Sequence, residues 1–546
     1  MKKINYSFLL IIPVLFILLQ VYYKINYGPL YLKMADPEYA YLLNGLCLNN
    51  FKLDLDYVDH PGTPVQVISA LTNFVVHIFR GGNSLTDDVL LHPEIYLTAT
   101  QVSLTLINAF LILLAGLLLF RATGKMFYAV AFQFAPLAHE LTVGIANRVL
   151  PESLLVGLSV LFFAYAVYYL LKQQQHETDK RKHVTRFSLL SGLALATKIT
   201  FVPVLLIPLM LLKGKPAKLK FVLYTTAAFL VFAFPLITKL SYFSRWMVAL
   251  FLHSGSHGSG QANVIDWTVF IRNLKYIHSM FPGIYWSAGI LFVFILLTSF
   301  KKIRNKITGK QGFIFFLALF LNILLQVIFS AKSYSDKYLA PSLIESFISI
   351  LLVIYFISSS GFINKYKQWI TYLSLPVLII LFAIPSGKRI INYNETLKKD
   401  KNAYLHTRNI ITQIPADNRI IFTEYGCAVP EWSLWYGSLF TGRYKAWITR
   451  SLEKLYPNTY FYDVNQDKIY HYIDKVTPSE ITSLPGRTIL YYKTFVPGFR
   501  SKIAAYFEKN FSFEPVKKFE KTGEFVYYLH KKEVSSPQEN TTQNLK

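Results

Sequence analysis

Long apolar segments alternating with short polar loops occupy the first 386 residues of the chain. A helix that crosses the hydrocarbon layer of a bilayer needs about 20 apolar residues. On that template the sequence predicts eleven membrane-spanning helices, over residues 6–23, 96–120, 126–143, 150–171, 187–197, 199–212, 221–240, 284–300, 312–330, 339–357 and 370–386. The fifth and sixth segments are short and share Lys198, which predicts either a tight helical hairpin or a single longer span.

The composition supports a multi-pass protein of the cell (inner or plasma) membrane. A chain of 546 residues with 53% hydrophobic residues is too apolar to fold as one water-soluble globule. Met1, Lys2 and Lys3 followed by the apolar run 8–21 resemble a signal peptide, but no small-residue cleavage site follows. The first run is therefore predicted to be an uncleaved span.

The distribution of basic residues predicts the orientation. A net charge of +25 would suggest a nucleic-acid partner in a soluble protein, but here Lys and Arg concentrate in alternate loops, as the positive-inside rule expects of cytoplasmic loops. We therefore expect no nucleic acid and a cytoplasmic N-terminus. The first loop, loops 241–283 and 331–338, and the C-terminal region are then extracytoplasmic.

Hydropathy falls after residue 387, and short β-rich runs appear, such as Arg419–Thr423 and Thr488–Tyr492. The predicted fold is thus an all-α polytopic membrane domain over 1–386, with about eleven transmembrane helices and interfacial helices in its first external loop (24–95). A small extracytoplasmic α/β domain over 387–534 follows it. Residues 535–546 are polar and aperiodic, which predicts a disordered tail.

The first external loop opens with Asp36-Pro37-Glu38-Tyr39. Asp36 has the position of a helix N-cap and Pro37 that of a first helical residue, so a capping role alone would explain them. Alternatively, Asp36 is a general base, since partial desolvation at a membrane surface raises the pKa of a carboxyl group. The sequence leaves both open.

Further along the first loop, the pair Asp54 and Asp56 is spaced like the metal-binding acids of nucleotide-sugar transferases, but no Gly-rich phosphate loop accompanies it. We expect a solvated loop face there.

His60 follows in a Pro/Gly turn. It is a candidate metal ligand or acid/base group, or an ordinary surface histidine.

Charged residues near the predicted outer ends of the spans form a second group of candidates. Arg148 can clamp a phosphate, or can pair with Glu152 four residues on. Lysines near membrane depth are costly unless an anion offsets them. For Lys198 and Lys337 that anion is either a phosphate or Glu345.

These segments, in this order, resemble the GT-C class of membrane glycosyltransferases, which includes protein O-mannosyltransferases, lipid A aminoarabinose transferases and families similar to lipopolysaccharide-core transferases. The matching residues run over about 1–360: Asp36-Pro-Glu-Tyr, His60-Pro61, Arg148 to Glu152, Gly192 to Lys198, and Lys337 to Pro341. Two positions depart from the pattern. Gly62 stands where many members have a second proline, and Lys337 where many have arginine.

The resemblance implies a polyprenyl-phosphate sugar as donor and an acceptor hydroxyl on a glycan, lipid or protein at the outer face of the bilayer. It implies that Asp36 is the catalytic base and that Glu152 assists it or binds a metal. Glu38 completes the catalytic candidates. The predicted substrate-binding residues are His60, Arg148, Lys198, Lys337, Tyr338 and His257; a divalent metal is left open, with Glu152, His139 and Glu140 as its candidate ligands.

The reaction expected from this set is an inverting glycosyl transfer in the cell envelope. A polytopic transporter or flippase is an alternative, although the duplicated halves and interrupted helices typical of that class are not evident in the sequence. An O-antigen ligase or polymerase is a second alternative function, and its donor would carry a diphosphate.

Overall fold

The structure is a computed structural model that describes residues 6–32, 36–82, 84–174, 180–255, 258, 260–360, 367–423, 426–463, 466–493, 501 and 503–532. The predicted tail over 535–546 lies outside the described residues. The chain divides into two compact units. The membrane unit comprises 1–28, 37–398 and 439–444, and the C-terminal unit comprises 29–36, 399–438 and 445–546.

The membrane unit is built from α-helices. Their bounds are α1 Ile11–Tyr27, α2 Glu38–Asn49, α3 Thr63–Arg80, α4 Leu85–Leu91, α5 Pro93–Thr123, α6 Met126–Gln133, α7 Glu140–Ala146, α8 Pro151–Gln174, α9 Lys180–Thr197, α10 Leu206–Leu211, α11 Lys215–Phe232, α12 Leu240–Leu252, α13 Trp267–Met280, α14 Pro282–Ser299, α15 Lys301–Ile307, α16 Gly309–Lys332, α17 Ala340–Ser359 and α18 Lys367–Ile411. Short 3-10 helices connect several of them, including Ile199–Leu205 before α10 and Asp336–Leu339 before α17.

Apolar helices of membrane-spanning length confirm a multi-pass membrane protein. Within the described residues, six helices are long and apolar enough to cross a bilayer, or up to eight if two bent pairs each count as one span. The six are Tyr6–Tyr27, Pro93–Thr123, Pro151–Lys172, Pro282–Ser299, Gly309–Lys332 and Asp336–Ser359. Each of them coincides with a segment predicted from the sequence.

Of the other five predicted spans, 187–197 and 370–386 lie within the helices α9 and α18, and 199–212 covers a 3-10 helix and α10. The remaining two are bent pairs of helices. The segment predicted over 126–143 bends by 75° between Leu137 and Glu140, and that predicted over 221–240 bends by 96° after Phe232. Pro136 and Pro235 lie in the 3-10 turns at these breaks. Proline lacks the N–H that continues a helix, so an apolar run there does not produce one straight span.

The last predicted span, 370–386, forms part of the 45-residue helix α18. The predicted domain boundary at 386/387 therefore falls inside a helix, and the division between the two compact units falls further along it, after Lys398. Hydropathy marks where apolar residues end, whereas the helix continues through polar residues. The predicted boundary therefore differs from the division after Lys398.

The C-terminal unit is an α/β fold around a seven-stranded sheet. Its strands are β1 Asn418–Phe422, β2 Thr459–Asp463, β3 Lys468–His471, β4 Asp474–Val476, β5 Thr488–Lys493, β6 Phe511–Phe519 and β7 Glu524–Lys531, in the order β4-β3-β2-β1-β5-β7-β6. β1 pairs in parallel with β2 and β5, and the remaining pairs are antiparallel. The two runs predicted as strands form the adjacent strands β1 and β5.

Helices and aromatic side chains cover this sheet. Helices α19 Pro430–Ser438 and α20 Lys445–Leu455 connect β1 to β2, and the short helix α21 Pro478–Thr482 precedes β5. Every residue of β2 and β5 is buried, as expected of parallel strands covered on both faces. The sequence signal for this unit was the run of apolar and β-branched residues in these central strands.

Candidate functional site

A cavity of about 510 Å³ lies in the membrane unit, among α12, α13, α16 and the 3-10 helix Ile199–Leu205. Most of its lining is apolar: Ile199, Val202, Pro203, Trp246, Met247, Leu250, Phe251, Val264, Ile265, Phe270, Ile328 and Phe329. Polar lining comes from His60, Lys198, Thr200, Gln326, Ser330, Lys332, Ser333 and Tyr338. A cavity with a largely apolar wall and a few polar groups has the character of a binding site for an amphipathic ligand.

Lys198 brings positive charge to this cavity. It follows α9 directly and is 3% exposed. Its Nζ lies 3.0 Å from Oε1 of Glu152, a buried residue in the first turn of α8, and 5.4 Å from the centre of the Tyr338 ring. Lys337 acts electrostatically on the same carboxylate. The two lysines and one carboxylate leave this group with a net positive charge.

The turn that carries His60 pairs through its backbone with the backbone at Lys198. Pro61 and Lys198 form an isolated antiparallel bridge. The His60 ring contacts the rings of Tyr57 and Trp246, at centroid distances of 5.6 and 6.3 Å. Two motifs far apart in the sequence therefore line one cavity.

Gly62 explains one departure from the GT-C pattern. Its φ is +71°, a left-handed conformation that proline cannot adopt. A Cβ at this position would also collide with the Tyr41 hydroxyl. The turn after His60 is thus built for glycine, and a second proline there is incompatible with this backbone.

Glu38 and Arg148 pair with each other. Nε of Arg148 donates to Oε1 of Glu38 at 2.6 Å and Nη2 donates to Oε2 at 3.0 Å, while Glu38 is fully buried. This fork-to-fork geometry is the strong form of an arginine–carboxylate contact. The alternative that Arg148 pairs with Glu152 on one helix is wrong, because each has a different, distant partner.

Asp36 lies in a turn just before α2 and is partly buried. Helix α2 begins at Glu38 with Pro37 in the N-cap position, and no side chain caps it. The expectation that Asp36 is the N-cap is therefore wrong by one residue, because Pro37 does not enter the helix. A capping role no longer accounts for this carboxylate.

The candidate metal ligands contact other groups. His139 Nε2 lies 3.5 Å from the Ser346 hydroxyl, and Glu140 accepts from Nη1 of Arg389 at 3.1 Å. Across the described ranges, no group of three or more His, Cys, Asp or Glu side chains is arranged to hold a metal ion. His257, predicted as a substrate-binding residue, lies outside the described residues.

Asp54 and Asp56 belong to an ion-pair network. Lys239 Nζ lies 2.6 Å from Asp56 and 3.5 Å from Asp54, and Arg443 Nη1 lies 3.2 Å from Asp54. A hydrogen bond from Thr238, with the two cations beside it, lowers the pKa of Asp54. These aspartates were predicted to be a solvated loop face. Asp56 is exposed and Asp54 is partly exposed, and the structure adds cationic partners that the sequence did not indicate.

Sequence reasoning missed polar residues on α16. Glu345 pairs with neither lysine; it accepts a hydrogen bond from Asn322 at 2.6 Å. Gln326 and Ser330 follow Asn322 at intervals of four residues, on the same helix face, and both line the cavity. Polar residues repeated every four positions in an otherwise apolar span are the sequence signal that indicates this polar helix face.

The comparison with solved structures finds a distant structural likeness. The chain is similar to the crystal structure of ArnT from Cupriavidus metallidurans bound to undecaprenyl phosphate, with 12% sequence identity and a TM-score of 0.48, over 94% of this chain and 97% of that one. No protein-family model and no curated protein matches the sequence. A likeness at this level carries no conclusion about activity.

Proposed function

We propose that this protein is a membrane glycosyltransferase that moves a sugar from a polyprenyl-phosphate donor to an acceptor hydroxyl. The observation that carries the proposal is the cavity, whose wall is mostly apolar and whose polar residues include the buried Lys198. A polyprenyl phosphate combines an apolar chain with an anionic group, so its two parts match the two parts of the lining. The resemblance of the motifs to the GT-C class supports the same function.

The phosphate site in this proposal is the positive group around Lys198. Glu152 offsets one of the two lysines, which reduces the cost of holding cations near membrane depth. An arriving phosphate gains charge-assisted hydrogen bonds from Lys198. Lys337 adds attraction for the anion, and the Tyr338 ring lies beside the Lys198 ammonium group.

The chemical step follows from these assignments. Asp36 takes the proton from the acceptor hydroxyl, and the hydroxyl oxygen attacks the anomeric carbon of the donor sugar. The bond from that carbon to the phosphate oxygen breaks with inversion, and its electron pair leaves with the lipid phosphate. The lysines stabilise the charge that develops on this leaving group.

Glu38 and Arg148 have a positioning role in our proposal. Their bidentate pair ties the first residue of α2, two residues after Asp36, to the segment after α7. Because both ends of the Arg148 fork face a buried carboxylate, a phosphate would have to displace a strong contact to bind there. Direct contact with substrate therefore falls to Lys198, Lys337, Tyr338 and His60.

Orientation and acceptor complete the proposal. The placement of basic loops supports a multi-pass protein of the inner or plasma membrane with the site and the C-terminal unit on the extracytoplasmic face. The acceptor is a hydroxyl on a glycan, lipid or protein of the cell envelope.

The experiment that tests this function uses purified protein and a panel of radiolabelled polyprenyl-monophosphate sugars. We expect sugar transfer, accompanied by release of the free polyprenyl phosphate, with at least one donor. Donor movement across reconstituted membranes without cleavage would indicate a flippase. Turnover of polyprenyl-diphosphate donors alone would indicate a ligase or polymerase.

A further inference from the structure

Gln326 is a buried polar residue in the cavity whose amide is unsatisfied. It is 2% exposed, and within the described part of the chain neither its Nε2 nor its Oε1 has a hydrogen-bond partner. The side chain lines the cavity together with Ser330, one helical turn further along α16. Its amide is thus both buried and accessible to whatever fills the cavity.

An unsatisfied buried amide destabilises the folded state, since its donor and acceptor lose water without gaining partners. An apolar residue of similar size would avoid that loss in an apolar span. Asn322, one turn earlier on the same helix, is partly satisfied, because its Nδ2 donates to Glu345 while its Oδ1 has no partner among the described residues. Gln326 lacks such a contact, and its position in the cavity indicates that a ligand supplies the partner.

We propose that Gln326 recognises the sugar of the donor, by bonding a substituent that both donates and accepts hydrogen bonds. A carboxamide offers an N–H and a C=O side by side, which fits a sugar hydroxyl or an N-acyl group. Gln326 lies six residues before Lys332, the last residue of α16. This spacing places the two residues about 9 Å apart along the helix axis. This inference rests on the proposed function, since it assigns the sugar end of the donor to the cavity that holds Lys198.

The test compares two ligands on two proteins. Binding of a bare polyprenyl monophosphate and of the same lipid carrying a hexose is measured for the wild type and for Gln326→Met, with Gln326→Leu as a second variant. We expect the preference for the sugar-bearing lipid to fall about tenfold in the variants, while affinity for the bare lipid stays within twofold. Donors carrying deoxy and N-acyl sugars then distinguish a hydroxyl from an N-acyl partner.

Thermal stability separates ligand recognition from a structural role. Gln326→Met should melt at the same temperature as the wild type or higher, because it removes an unsatisfied amide. The matched control Asn322→Leu should melt lower, because it deprives the buried Glu345 of its donor.

Two results would overturn the assignment: unchanged preference in both Gln326 variants, or a lowered melting temperature with equal loss of affinity for both lipids. Failure of the wild type to bind either lipid would instead remove the proposed function, and this inference with it.

Discussion

The Lys198 ammonium group lies 3.0 Å from the Glu152 carboxylate, and both side chains are almost completely buried. Taking two charges out of water is costly even when they pair. The pair also lies at a cavity with a largely apolar wall. The Lys198 ammonium group carries three N–H donors that can rotate toward an anion, whereas the Arg148 fork binds both oxygens of Glu38 in a fixed bidentate contact.

Replacing Glu152 with glutamine should strengthen binding of polyprenyl monophosphate. The variant keeps the size of the side chain and removes the negative charge that competes with the phosphate for Lys198. Breaking a buried ion pair should also destabilise the fold, by about 3–5 kcal/mol. Melting curves with and without the lipid measure both effects, and a ligand-induced shift no larger than that of the wild type would contradict the prediction.

Replacing Asp36 with asparagine should abolish most turnover and leave donor binding intact. A positioned general base contributes about a hundredfold to ten-thousandfold, so the rate of sugar transfer should fall by that factor. Asp87→Asn is the matched control, since Asp87 lies in the same external loop and bonds to Ser84. Transfer by the Asp36 variant at the control's rate would remove Asp36 from the mechanism.

Replacing Gly62 with alanine should distort the turn that carries His60. A side chain at φ +71° is strained, and its Cβ would collide with the Tyr41 hydroxyl. We expect a loss of stability of about 1–3 kcal/mol and weaker donor binding, both measurable on the purified protein. Gly81→Ala is a control for left-handed strain alone, because its φ is +65° and, apart from its chain neighbours, no atom of the described residues lies within 4 Å of the added carbon. Equal behaviour of the two variants would show that contact with Tyr41 is unimportant.

Asp88, a residue of α4 that does not line the cavity, gives a pH-dependent prediction. Hydrogen bonds from Arg80, joined by those from Tyr96 and His77, lower the pKa of this carboxyl from 3.8 to about 2. Because the folded-state pKa is depressed, the stabilisation is complete above the unfolded value and is lost as pH falls from about 4 toward 2. Asp88→Asn should thus melt below the wild type at pH 6, and the difference should shrink toward pH 3. A difference that is constant with pH would contradict this.

The C-terminal unit suggests a role for Lys493 in placing Asp36. Nζ of Lys493 lies 3.5 Å from the carbonyl oxygen of Leu32, four residues before Asp36, and 3.7 Å from the buried Glu524. The double variant Lys493→Met with Glu524→Gln removes both charges and so avoids stranding one of them. We expect slower transfer with unchanged donor affinity. Full turnover would mean that this contact does not position the catalytic loop.

Much of the architecture could be predicted because membrane spans and buried strands leave long signals. Each of the six continuous spans contains a long, predominantly apolar stretch, and β1 and β5 are short runs rich in β-branched and aromatic residues. The bends near Pro136 and Pro235 were missed because a hydropathy window averages over them. The boundary inside α18 was missed because a helix can continue after its apolar residues end.

The site could be predicted in part. The sequence grouped His60, Lys198 and Tyr338, and the structure places all three in the lining of one cavity. Choice of ion-pair partner could not be predicted, because Arg148 and Glu152 are well spaced for a helical pair but tertiary packing gives each another partner. Gln326 was missed because a single amide in an apolar span has no partner that the sequence can reveal.

The most direct test of the central claim is binding of radiolabelled polyprenyl monophosphate to the wild type and to the double variant Lys198→Met with Glu152→Met. Removing both members of a buried pair is often neutral for stability, so the variant should fold. We predict at least a tenfold loss of affinity in the variant. Equal affinity of the two proteins, with both folded, would contradict the claim that this cavity holds the phosphate of the donor.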